Sequence, residues 1–224
     1  MFEYESVEQK IGYVFKDKSL LVTAFTHSSF AYTHHIESNE RLEFLGDSLL
    51  NFVTTDFLYN NYDYDEGYLS KIKAYLVSSD SLSAVIDEMG VVSNLKSENF
   101  NPHNSKNVMC DLFESIVGAI YLDSNFDNAK KFIFDKLNLS KDRVNSLLHE
   151  IVDYKTKLQE LVQQSGTNTI EYVLIKKSGL AHEPEFTIEL KIQGKSVVTQ
   201  SAKSKKLAES LCAKLAYEML TKQK

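Results

Sequence analysis

Asn39-Glu40-Arg41-Leu42-Glu43-Phe44-Leu45-Gly46-Asp47-Ser48 sets three carboxylates and an apolar ridge on what reads as one helix. Glu40, Glu43 and Asp47 fall at i, i+3 and i+7, which lines them along a single face. Leu42, Leu45, Leu49, Phe52 and Val53 keep helical period beside them, so the acids border a buried stripe. Their mutual repulsion demands a countercharge. Gly46 costs a helix interior about 1 kcal/mol relative to alanine, which indicates another backbone passing close to it, with a partner helix as the natural candidate. Spacing alone leaves a plainly solvated acidic face open, because Glu-x-x-Glu-x-x-x-Asp is common on exposed helices.

A second acidic helix reads from Val108 to Asp123, otherwise apolar but carrying Asp111 and Glu114 at i and i+3. Charges on so apolar a helix need partners. A structural salt bridge is one explanation, yet few basic residues lie near it in sequence, and two acidic helices from distant places suggest one convergent site. Clustered carboxylates either raise one another's pKa or recruit a hard divalent cation. Oxygen donors without histidine or cysteine favour Mg2+, with Mn2+ as its substitute.

The chain of 224 residues can bury a real core, as one large domain or a larger one followed by a smaller one. No apolar run approaches the roughly 20 residues of a membrane span, and the acidic opening lacks the pattern of a signal peptide, so a cytoplasmic protein without a membrane partner is expected. Cys110 and Cys212 fall in helical, apolar settings without metal-ligand spacing and read as buried, reduced thiols. Formal charge is −9 over residues 1–148 and +3 over residues 149–224. An acidic body followed by a basic segment suggests that the second part meets a polyanion.

Apolar period and scarce proline predict an all-α domain over residues 1–148. Short helices are expected at Val7–Phe15 and Ser19–His27, with Ser19 as N-cap of the second and His27-Ser28-Ser29 ending it. His34 and His35 read as solvated loop residues, and Asn60–Gly67 as a solvated turn-rich loop. Lys71 and Lys73, on the segment Gly67–Ser78, could reach phosphates or simply be solvated. A helix from Ser79 should stop at Gly90, Asn94–Ser105 should be loop, and Asn125–Leu137 should be the last helix before a linker around residues 146–152. From Asp153 the pattern changes to α-β-β-β-α: a helix through Ser165, strands at Ile170–Lys176, Glu185–Ile192 and Lys195–Gln200, and a helix from Ala202 to Leu220.

Asn39–Ser48 resembles the signature segment of the ribonuclease III family, matching at ten consecutive positions. Gly67–Ser78 and Val108–Asp123 resemble two further segments of that family, and residues 153–222 look like its double-stranded-RNA-binding domain. The resemblance covers nearly the whole chain. It implies a two-domain protein, an all-α endonuclease domain followed by an α-β-β-β-α RNA-binding domain, in which Glu43, Asp111 and Glu114 are metal ligands. Asp47 would orient or deprotonate water, with Glu114 as its catalytic companion, and Glu40 would support the site or contact RNA. It implies a homodimer whose two acidic clusters each cut one strand of double-stranded RNA, leaving 5′-phosphate and 3′-hydroxyl ends, in processing of ribosomal and other structured RNA precursors, including messenger and transfer RNA. Some relatives with this fold act only as double-stranded-RNA-binding scaffolds, so that alternative stands beside the enzyme.

Three groups extend the comparison to the RNA surface. Thr156, Gln159, Glu160 and Gln163 share one face of the first helix, where amides and hydroxyls suit the 2′-hydroxyls of a shallow minor groove. His182 resembles the family's loop histidine that reaches a second minor groove. Lys203, Lys205 and Lys206 stand near a helix N-terminus, where the macrodipole disfavours cations unless an anion bridges them. Gln200 and Ala202 replace usual glycines and Leu180 a frequent proline, which bears on affinity more than on binding mode.

Overall fold

The computed structural model describes residues 2–151, 154–164, 166, 169–180 and 183–221. The chain divides into two units, Met1–Val144 and Asn145–Lys224. The first holds helices α1 (Tyr4–Ile11), α2 (Lys18–Ala24), α3 (Ser28–His34), α4 (Glu40–Asn61), α5 (Glu66–Leu76), α6 (Ser79–Met89), α7 (Lys106–Asp123) and α8 (Phe126–Lys136); α9 (Lys141–Ile151) runs across the division. The second holds α10 (Tyr154–Gln164), strands β1 (Ile170–Leu180), β2 (Glu183–Ile192) and β3 (Lys195–Ala202), and α11 (Lys205–Thr221).

Helix α7 is the axle of the first unit. Met109, Leu112, Phe113, Ile116, Val117 and Ile120 are all buried, so it is apolar nearly all round, as a helix surrounded by others must be. Its main neighbour is α4, which turns Leu42, Leu50, Val53 and Phe57 inward. Two glycines set how close the pair comes. A Cβ on Gly46 would lie 2.6 Å from the Glu114 carbonyl carbon and 3.0 Å from Gly118 N, while one on Gly118 would lie 3.1 Å from the Leu42 carbonyl carbon. The backbone that Gly46 accommodates is therefore α7 of the same chain.

Several expectations are corrected by the local chemistry. Helix α1 stops at Gly12, which takes a left-handed φ of 82°, and not at Phe15. Asp17, not Ser19, caps α2 by accepting a hydrogen bond from Ser19 N. His27-Ser28-Ser29 begins a helix instead of ending one: His27 Nδ1 accepts from Ser29 N at 3.1 Å and caps α3. His34 is accordingly helical, stacked on Phe30 at 3.8 Å between ring centroids and 3.5 Å from Glu98. Phe52 does not join the buried stripe of α4; it is 59 % exposed, with Phe44 at 78 % on the same side. Residues 146–151, where a linker is expected, are helical, and residue 152 lies outside the described residues.

In the second unit the order is β1-β2-β3, antiparallel throughout. Gln193 and Gly194, with φ of 53° and 71°, make the tight β2–β3 turn whose positive dihedrals glycine tolerates best. Ile188 and Leu190 of β2 point into the layer formed by Tyr154, Leu158 and Val162 of α10 and Ala208, Cys212, Ala213 and Ala216 of α11. The small residues of α11 let it lie close to the sheet. The strands start or end a few residues beyond the expected limits, and α11 begins at Lys205 instead of Ala202.

Candidate functional site

The acids of α4 and α7 meet because of the Gly46–Gly118 crossing. Ser115 reinforces the junction: its hydroxyl donates to the Asp111 carbonyl at 2.7 Å and reaches the carbonyl of buried Asn39 at 3.4 Å, tying α7 to the start of α4. Asn39 N in turn donates to the Thr26 carbonyl at 2.8 Å, which brings the His27 segment against the same corner.

Glu43, Asp111 and Glu114 are half-buried there, and each titrates above its ordinary range. Burial is the largest cause in all three. For Glu43 the charges of Asp111, Glu40 and Asp47 add to it. For Asp111 the nearby His27 ring opposes the effect of burial in part. Glu114 is pushed up to about 7 by burial, then by Asp47 and Asp111. Among the described residues, none of these acids, nor Asp47, is in an ion pair with a lysine or arginine. Like charges gathered without a lysine or arginine among them suit a hard divalent ion, and ligand atoms of Asp111, Glu114 and Cys110 lie within 4.8 Å of one another.

Asp47 is exposed at the rim, where Asn51 Nδ2 donates to its Oδ1 at 2.6 Å and leaves the other oxygen free. Glu40 is also exposed and takes a hydrogen bond from Ser38 Oγ at 2.9 Å, so it borders the cluster through its field on Glu43. Cys110 departs from the expected buried thiol. It is half-buried, its Sγ stands 3.7 Å from Glu114 Oε1, and burial with the neighbouring acids pushes it up to about 12. Cys212 is fully buried and donates to the Ile188 carbonyl. Nothing in the sequence marks Asn51, Ser115 or Cys110 as site residues, and His27 carries one signal, the two serines that follow it in the pattern of a helix start.

On the second unit, Thr156, Glu160 and Gln163 are exposed and Gln159 half-buried along α10, while Leu158 and Val162 are buried on the opposite side and Leu161 is half-buried. Lys203, Lys205 and Lys206 are exposed at the start of α11. Lys205 has an internal counter-charge, Glu209 at 3.8 Å, which it shares with Lys155. His182 lies outside the described residues. In the first unit Lys71 is exposed, 5.8 Å from the centroid of the Tyr68 ring, and Lys73 is half-buried beside an open cavity of about 410 Å3. No helix among the described residues is long and apolar enough to cross a membrane.

Comparison with known proteins agrees with this division. A family pattern described as ribonuclease-III-like matches residues 17–140, and the double-stranded RNA binding motif matches residues 154–220. The chain is 38% identical over 224 residues to a protein named ribonuclease 3 from Streptococcus thermophilus, covering 96% of this chain and 97% of that one. It is 40% identical over 222 residues to ribonuclease 3 from Treponema denticola, covering 95% and 89%. Among solved structures, the nuclease domain of ribonuclease III from Campylobacter jejuni, described for flexibility in a region involved in its dimer formation, superposes with a TM-score of 0.56 at 32% identity, covering 62% of this chain and 99% of that one.

Proposed function

The chain belongs to the ribonuclease III family, and from that premise we propose that it is a divalent-metal-dependent endoribonuclease that cuts both strands of double-stranded RNA, with Mg2+ held by Glu43, Asp111 and Glu114. The convergence of half-buried acids from α4 and α7 without a protein counter-cation carries this reading. A bound Mg2+ would supply Lewis-acid polarisation of the scissile phosphate and a lowered pKa for an attacking water.

The protein's own residues do the rest. Glu43, Asp111 and Glu114, brought together by the α4–α7 crossing, would hold the ion and balance its charge. Asp47, fixed by Asn51, keeps one carboxylate oxygen at the rim to orient and accept a proton from water. Glu40, farther out and exposed, borders the path of the RNA backbone. Cleavage leaves 5′-phosphate and 3′-hydroxyl ends, and the general work of the family is processing of structured RNA precursors, here in the cytoplasm.

The second unit supplies affinity. Thr156, Gln159, Glu160 and Gln163 offer polar groups to the minor groove, and Lys203 and Lys206 meet phosphates. Each copy of the first unit cuts one strand of the duplex, so two copies of the chain are needed. Phe44, Phe52 and Leu122 leave large apolar side chains exposed, and Leu20, Phe44, Leu45 and Leu122 line one concavity of this face. Such a face suits a homodimer whose twofold axis matches that of the duplex.

Incubation of the full chain with a long RNA duplex in Mg2+, and separately in EDTA, tests the proposal. Short duplex products with 5′-phosphates in Mg2+ and intact RNA in EDTA are expected. Binding without cleavage in Mg2+ or Mn2+ would reduce the protein to a scaffold.

A further inference from the structure

Cys110 is the one side chain of the cluster that hydrolysis around an oxygen-bound ion leaves without a role. Its Sγ lies 3.7 Å from Glu114 Oε1, and one ligand atom from each of Cys110, Asp111 and Glu114 lies within 4.8 Å of the others. Helix geometry accounts for the grouping: Glu114 is four residues after Cys110 and three after Asp111, so one turn of α7 presents all three on adjoining faces. All three are part-exposed, so a cation reaches them without disturbing the core.

The 3.7 Å between Cys110 Sγ and Glu114 Oε1 is a thiol hydrogen bond to the carboxylate, so a cation that takes the sulfur displaces that proton and finds sulfur and oxygen donors side by side. A thiolate with two carboxylates also selects zinc-like cations over Mg2+, which prefers oxygen alone.

We infer that α7 gives this site a second coordination mode, in which a thiophilic divalent cation of the zinc type is held by Cys110 Sγ, Asp111 and Glu114, leaving its fourth position to solvent. This mode takes Asp111 and Glu114 away from the oxygen set they form with Glu43. A zinc-type ion therefore competes with Mg2+ and silences cleavage. The effect on cleavage rests on the proposed nuclease site; the binding itself does not.

The test is a titration of the full chain with Co2+ as a spectroscopic stand-in for zinc. A sulfur-to-cobalt charge-transfer band in the near ultraviolet should saturate at one ion per chain, persist in Cys212→Ala, and vanish in Cys110→Ser and Cys110→Ala, with circular dichroism confirming that each variant folds. Zn2+ should displace the band. In parallel, the Zn2+ concentration that halves Mg2+-supported cleavage should rise at least about tenfold in Cys110→Ala relative to the unsubstituted chain. Absence of the band, or its persistence in both Cys110 variants, would overturn the inference. A normal band in a protein that cuts no duplex RNA would instead count against the nuclease reading and leave the second mode standing.

Discussion

Gly46 of α4 and Gly118 of α7 face each other across the helix crossing with no side chain between them, so that a Cβ on Gly118 would stand 3.3 Å from Gly46 N. This contact decides how far apart Glu43 and Asp47 on one helix stand from Asp111 and Glu114 on the other. It converts two acidic sequence segments, separated by more than sixty positions, into one cluster.

Gly46→Ala should be destabilising although alanine is the better helix former by about 1 kcal/mol. The added methyl meets backbone, the Glu114 carbonyl, which cannot rotate away. A net loss of about 1–3 kcal/mol in denaturant unfolding is expected. Gly67→Ala is the contrast, since its Cβ would meet only Asp65 Oδ1 at 3.5 Å in the first turn of α5; it should be neutral or gain a few tenths of a kcal/mol. Equal effects of the two substitutions would refute the role given to the crossing.

The raised pKa of Glu114 makes a signed pH prediction. Its folded value of about 7 exceeds the ordinary 4.5 to which an unfolded chain returns. Between those values the folded protein holds more protons than the unfolded one, so without metal the stability linked to this group is full at low pH and is lost as pH rises towards 7. Glu114→Gln removes that loss. In EDTA the Tm advantage of Glu114→Gln should therefore widen from about pH 5 to about pH 7 and then level off, as thermal unfolding at a series of pH values will show. Mg2+ must displace the same proton, so its affinity for the unsubstituted chain should climb through that window. A Tm gap that narrows with rising pH would contradict the assignment.

The exposed Phe44, 78 % accessible and on the same side of α4 as Phe52, should be central to self-association. Phe44→Asp is expected to weaken the dimer by at least about tenfold, seen as a shift towards monomer in sedimentation equilibrium. An unchanged association constant would place the dimer contact elsewhere.

On the second unit, loss of charge at Lys203 and Lys206 should weaken duplex binding regardless of sequence and reduce the slope of log affinity against log salt by a little under one per lost phosphate contact. Lys205→Gln should matter less, because Glu209, which Lys205 shares with Lys155, offsets part of its charge. Filter binding at several salt concentrations measures both.

Much of this was legible in the sequence, and the remainder had physical reasons to be hidden. The acids of α4 and α7 declared themselves because charges on apolar helices are rarely idle, and the α-β-β-β-α order showed in the change from helical period to alternation. Helix α3 is hidden in the sequence because His27 caps through Nδ1, a role that composition assigns to Ser, Thr, Asp or Asn. The period of α4 points Phe52 inward because the helix carries apolar residues on two faces, and period alone does not tell the face that packs within the chain from the one left exposed. Gly46 announced a close neighbour without naming it; only the fold identifies α7. Cys110 looked like core because its sequence neighbours are apolar, whereas its side chain sits among the acids.

If the α4–α7 acids hold the ion that supports RNA cleavage, Glu114→Gln should expose it, because the substitution keeps shape and removes one charge from the cluster. Cleavage rate in Mg2+ and affinity for the same duplex should be measured on one preparation, with circular dichroism to confirm the fold. A rate loss of about a thousandfold, equivalent to roughly 4 kcal/mol of transition-state stabilisation, is expected with duplex affinity retained. Near-normal cleavage by folded Glu114→Gln would contradict it.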